Sequence, residues 1–440
     1  MSRDATLLAE PDPIAADSAL DAAAVQRRTL RLLFVTQVLG GVGMSVGMSV
    51  GALLAADMAS IGVSGLAQSA AVVGGALLAV PATRVVRRRG RRWSLAGAYA
   101  IAALGGAVIA AAATYRVVPL LFAGLFLFGG GTTAGLQARY AAVDLAPPAS
   151  QGRHLSLIIW ATTLGAVAGP TLAPVAGAVL APYGLPTLAA PFVVSVVLFA
   201  AAGAVLLAWL RPDPRLVALR VGARASAAPA AAGSGREAGV RAALRVVLAL
   251  PPARLGVAAT AVGHLVMVGV MAMAPVHIRG AGHGAEGTLR IVGIVLSLHV
   301  AGMYALSPVM GLLADRVGRR PVIVLGVALL LAACAVVGTA GHDTARLALG
   351  LVVLGLGWSG TMVAGSTLLS TTVPAELRPS AQGLSDLVMG LAGASAGAIS
   401  GWVVQAWGYP TLAACAALAT LPVAVLALGT RTSSHAGRAL

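Results

Sequence analysis

No lysine occurs in these 440 residues, so all 30 basic side chains are arginine, set against 14 acidic ones. Charged residues make up 10% of the chain, whereas a soluble domain carries roughly 25%. With a mean hydropathy of +0.91, that shortage excludes an ordinary water-soluble fold and points to a polytopic membrane protein. Only two cysteines are present, Cys334 and Cys415, far apart in apolar runs. They give neither a disulfide framework nor a zinc spacing and are expected to pack. Aromatic residues are 4%, thin for a pocket that stacks on a flat drug or a sugar. No carboxylate falls in the middle of an apolar run, since Asp57 sits at the turn after the first and Asp386 a few residues into the eleventh. Proton-coupled drug antiporters use buried acids as relays, so this scarcity weighs against that class, although a histidine could carry the proton instead. Neither a nucleophile–base pair nor a phosphate-binding loop is visible, and the chain is not expected to be an enzyme.

What is there is apolar sequence. Twelve runs are each long enough to span a bilayer, which takes about 20 residues. The arginines fix their orientation. If the N-terminus is cytoplasmic, 26 of the 30 fall inside and four outside (Arg116, Arg279, Arg290 and Arg346). Such asymmetry predicts an all-α membrane protein with twelve transmembrane helices, N-in and C-in. The net charge of +16 then reflects loops facing anionic lipid heads rather than nucleic acid. Residues 1–26 are acidic and polar, lack a signal-peptide pattern and read as a disordered cytoplasmic tail. Two six-helix bundles are expected over 27–210 and 255–430, joined by a polar linker over 211–254 and followed by a short tail over 431–440.

The halves repeat. GRRW at Gly90 corresponds to GRRP at Gly318, and Gln151-Gly152 to Gln382-Gly383, at offsets of 228 and 231. Repeats at a near-constant offset indicate a duplicated, pseudo-symmetric six-helix unit. The run GLLADRVGRR, Gly311 to Arg320, matches the pattern G-x-x-x-D-R-x-G-R-R of the major facilitator superfamily. PAELRPSAQGLSD (374–386) is similar to that superfamily's 10–11 loop. GAVAGP (165–170) resembles its fifth-helix glycine motif, with Ala173 and Pro174 in place of two glycines. The resemblance implies alternating access by two rocking bundles and a gating motif of Gly311, Asp315, Arg316, Gly318, Arg319 and Arg320. In the first-half copy the Asp position is Arg87 and the leading Gly is Thr83, so the gate is expected to rest on Asp315 of the second half.

Residues 263–277, GHLVMVGVMAMAPVH, and 298–304, LHVAGMY, put imidazole and thioether into oil. Met271 lies about 40° round the helix from Met267, and His264 about 60° the other way; His299 and Met303 share a face of the next helix. Counted from assumed cytoplasmic ends, Met267 is at ~18 Å and Met303 at ~17 Å, and Met271 is at ~24 Å and His299 at ~23 Å, so the pairs are level and the four lie near the bilayer middle. Met44 and Met48 repeat the i, i+4 spacing in the first helix. Thioether and imidazole together suit Cu(I) rather than oxygen-seeking ions. Methionine is also a common core filler, and a lone membrane histidine often bonds between helices. Met267-x-x-x-Met271 and His299-x-x-x-Met303 match the motifs of the CcoA-like copper transporters in helices 7 and 8. That resemblance implies a copper importer of the bacterial cytoplasmic membrane, with Met267, Met271, His299 and Met303 as ligands. His264, Met44 and Met48 are possible additions, and His277 and His283 at the outer loop are expected to be solvated. Copper would be cargo, with no cofactor, and the chain would work as a monomer among lipids. The rivals are a proton-coupled efflux pump for small organic compounds and a non-transporting sensor, the second of which lacks an output domain.

Overall fold

A computed structural model describes residues 13–147, 150–225, 235–374 and 377–429. It is all-helical among those residues. The first bundle consists of α1 (Pro13–Met58), α2 (Ile61–Arg89), α3 (Arg91–Tyr115), α4 (Val118–Ala141), α5 (Gln151–Leu180) and α6 (Ala190–Trp209). The second consists of α7 (Pro251–Gly280), α8 (Ala285–Arg316), α9 (Arg319–Gly338) and α10 (Thr344–Thr372), followed by α11 and α12. These last two form one nearly continuous run, 378–429, and Gly408 at φ 82° breaks it into 378–407 and 409–429. A left-handed φ of this kind suits glycine, which has no Cβ to clash. The twelve expected spans are therefore all present.

Two expectations change, at the N-terminal tail and at Cys415, and the linker gains detail. The chain is already helical from Pro13, so residues 13–26 belong to α1, where Ala-rich DSALDAAA favours helix over coil; residues 1–12 and 430–440 lie outside the described residues. The linker carries two helices, Pro214–Ala225 and Gly235–Ala249, the second packed on α7 and α11. Cys415 is exposed rather than packed, while Cys334 is buried.

The duplication is visible in side-chain chemistry. In the first half Arg92 Nε donates to the carbonyl of Leu207 at the end of α6 (2.8 Å). Its counterpart Arg320 donates from Nε to Ala427 and from Nη2 to Leu428 (2.9 Å) at the end of α12. Each half thus fastens its GRR loop to its own last helix, satisfying carbonyls that a helix end leaves open. Arg91 pairs with Asp144 (2.8 Å) and with Gln137 (2.8 Å), again within the first bundle.

Between the bundles, α5 packs on α8 and α2 on α11. Among the described residues five hydrogen bonds join the bundles. Gly62 N donates to Gln405 Oε1 (2.5 Å), Ser64 Oγ to Met273 Sδ (3.5 Å) and Ser69 Oγ to the Ala394 carbonyl (2.6 Å). Ser297 Oγ donates to the Val167 carbonyl (2.7 Å), and Arg279 Nη2 to Asp57 Oδ1 (2.8 Å). By the arginine topology all five lie in the outer half. Asp57 also binds Arg116 (3.1 Å), so one carboxylate holds a cation from each bundle. Asp315, the expected inner gate, is exposed and forms no hydrogen bond or ion pair among the described residues. The outer side is thus bonded shut between the bundles, and among the described residues no hydrogen bond joins the bundles through Asp315.

Candidate functional site

The site is built from two unlike walls. On the second bundle, Met267 of α7, Met303 of α8 and Trp358 of α10 are 3%, 7% and 8% exposed and form one buried cluster with Val268. Met271, Tyr304 and Met362 pack against it. Three of the four expected ligands therefore meet: the i, i+4 spacing turns Met267 and Met271 to one side, and α8 runs antiparallel to α7 at the same depth. Met362 was missed, because a single methionine in a glycine-rich span gives no periodic signal.

His299 is fully buried, and its Nδ1 lies 2.6 Å from the carbonyl of Leu351 on α10. A carbonyl only accepts, so Nδ1 carries the hydrogen and Nε2 keeps its lone pair. That Nε2 is buried and has no hydrogen-bond partner. An outer hydrogen bond that fixes the tautomer and leaves the other nitrogen free is how proteins prepare a metal-ligating histidine. The close approach of α8 and α10 makes this possible: a Cβ on Gly355 would lie 2.6 Å from the His299 carbonyl oxygen. His264 is committed differently. Its Nδ1 accepts from Trp358 Nε1 (3.1 Å), so Trp358, which the sequence reading did not single out, holds His264 against the methionine cluster. Trp358 also meets Tyr304 edge-on, with ring centroids 5.7 Å apart.

On the first bundle, Met44 and Met48 do not join this cluster. They line a separate cavity of about 270 Å³ with Gln37, Ser45, Thr132 and Arg139 among others. Arg139, counted from sequence among the loop residues, belongs to α4 and faces this cavity, because α4 runs on to Ala141. The outer histidines separate as well. His277 is bonded from Nε2 to the Gly341 carbonyl (2.7 Å) and stacked on Tyr409 at 4.4 Å, so it is not freely solvated. His283 lines an outer cavity with Asp57 and Arg279. Among the described residues no three His, Cys, Asp or Glu side chains gather as a metal site.

This architecture of paired bundles, with the pseudo-symmetric contacts α2–α11 and α5–α8, has known relatives. The family model of the Major Facilitator Superfamily matches residues 33–291 and 285–439. The chain belongs to the major facilitator superfamily. It is similar to the uncharacterized MFS-type transporter YddS of Bacillus subtilis, at 36% identity over 90% of this chain and 89% of that one. It is also similar to the riboflavin transporter RfnT of Brucella anthropi, at 29% identity over 89% of this chain and 92% of that one. Among solved structures, the nucleoside transporter NupG shares the fold, with a TM-score of 0.66 at 18% identity over 92% of this chain and 97% of that one. The chain is thus a multi-pass secondary transporter of this superfamily.

Proposed function

We propose that this transporter imports Cu(I) across the bacterial cytoplasmic membrane by alternating access, through Met267, Met271, Met303 and His299. The observation that carries the reading is His299 Nε2, a buried lone pair with no partner, one helical turn from Met303 of the thioether cluster. Neutral soft donors leave a monovalent ion charged and exchangeable, which conduction from site to site requires. Met362 is a further thioether within the same cluster. Cells carrying Met271→Leu with His299→Leu are expected to take up radiocopper at a small fraction of the wild-type rate. Uptake equal to wild type sinks the ligand set.

A second reading, proton-coupled efflux of small organic compounds, is favoured by one observation: a cation, Arg139, lines the cavity opposite. The relative named a riboflavin transporter is in keeping with an organic cargo. Unchanged tolerance of a deletion strain across a broad panel of compounds would count against it.

A further inference from the structure

The cavity of the first bundle has a polarity that copper does not use. Its hydroxyls at Ser45 and Thr162 are spent on backbone carbonyls, those of Ala166 (2.8 Å) and Ile158 (3.0 Å). Two nitrogen donors are not spent. Gln37 is 2% exposed, and its Nε2 is buried without a partner. Arg139 Nε is likewise buried and unpartnered, and the guanidinium forms no ion pair among the described residues. Both residues line the same cavity, and no carboxylate does. The acids nearby are accounted for: Asp144 is held by Arg91, and Asp386 of α11, although within electrostatic reach of Arg139, makes no bond to it and does not line the cavity.

Leaving a buried N–H donor unmade, as at Gln37 Nε2 and Arg139 Nε, costs free energy. Such groups persist where a ligand completes them. Two unspent N–H donors, one of them on a cation of fork geometry, favour an acceptor that is anionic and planar. The remaining wall is apolar, from Met44, Met48 and Leu136. At about 270 Å³ the space is smaller than the roughly 300–1,000 Å³ of pockets for drug-sized ligands.

We propose that Gln37 and Arg139 form a binding site for a small carboxylate, with Arg139 taking the carboxylate as a forked pair and Gln37 Nε2 donating to it, while the thioethers flank any apolar body the ligand carries. The site does not depend on the copper reading, since its donors are on the opposite bundle and are counted without a metal. Its ligand is either a free small anion or the acid group of a larger monoacid.

The test is calorimetric binding to the full-length purified protein without copper. Acetate, butyrate and benzoate are the probes, benzamide is the neutral isostere of benzoate, and chloride is held constant. Binding of acetate comparable to benzoate supports the free anion; binding of butyrate and benzoate without acetate supports the monoacid. In either case Arg139→Gln is expected to weaken binding by about 10-fold or more and Gln37→Leu by several-fold, with Arg139→Lys between Arg139→Gln and wild type. Melting temperatures of the ligand-free variants report whether each is folded. Benzamide binding as tightly as benzoate, no probe binding at all, or a folded Arg139→Gln variant that binds like wild type overturns the proposal.

Discussion

Asp57 is the outer latch, and removing its charge is expected to open the outer side. Asp57→Asn deletes one ion pair inside the first bundle, to Arg116, and one between the bundles, to Arg279 at 2.8 Å. Only the second distinguishes inward- from outward-facing states. Its side chains are 43% and 30% exposed, so water screens the attraction and a surface pair of this kind contributes about 0.2–1 kcal/mol. The outward-facing population should therefore rise about 1.4- to 5-fold. Spin labels placed at the exposed positions Tyr115 and Glu286, in a Cys334→Ala, Cys415→Ser background, would read the ratio as a distance distribution. Arg279→Gln should shift it by a similar amount, and the double variant no further, since both changes break one interaction. The wild-type ratio should drift toward the variants' at 1 M salt, where the Debye length falls to about 3 Å. An Arg279→Gln protein indistinguishable from wild type, beside a shifted Asp57→Asn, would refute an interbundle role.

Other outcomes follow from close helix crossings and from the thioether wall. A Cβ at Gly65 would lie 1.9 Å from the Gly397 carbonyl oxygen, so Gly65→Ala should force α2 from α11, raise the outward-facing fraction and slow transport, read with the same labels. A Cβ at Gly74 meets the Phe126 carbonyl at 1.9 Å, but within the first bundle, so Gly74→Ala should cost about 1–3 kcal/mol of stability and leave the inward–outward ratio unchanged. Trp358→Phe removes the donor to His264 and should lower radiocopper uptake several-fold with little loss of melting temperature. Met267→Leu with Met303→Leu conserves volume in the buried cluster and should leave the protein folded while abolishing Cu(I) binding in equilibrium dialysis.

The spans, their orientation and the duplication were legible because each is a property of one helix or one loop at a time. Hydropathy marks length, arginine counts mark sides, and GRRW against GRRP marks the repeat. The shared stripe of Met267 and Met271 was legible for the same reason. What the sequence left out depends on rotation of one helix against another. Nothing in the chain says that His299 turns its Nδ1 to Leu351 on α10, that Met362 joins from the same helix, or that Met44 and Met48 face a different cavity. Arg139 was hidden by its position near a helix end, where a basic residue reads equally as loop or wall. Asp315, on which the gate was expected to rest, is exposed and without a bond among the described residues, which hydropathy and charge counts do not reveal.

The paired arginine fastenings bear on how the chain is made. Arg91 and Arg92 find their partners at Gln137, Asp144 and Leu207 of the first bundle and at Asp213, at the very start of the linker. A ribosome that has passed Asp213 has already supplied everything that ties the first loop down. The leading half can therefore settle while the trailing half is still being synthesised. The two halves expressed as separate polypeptides, cut within the linker, are expected to reassemble into a working carrier.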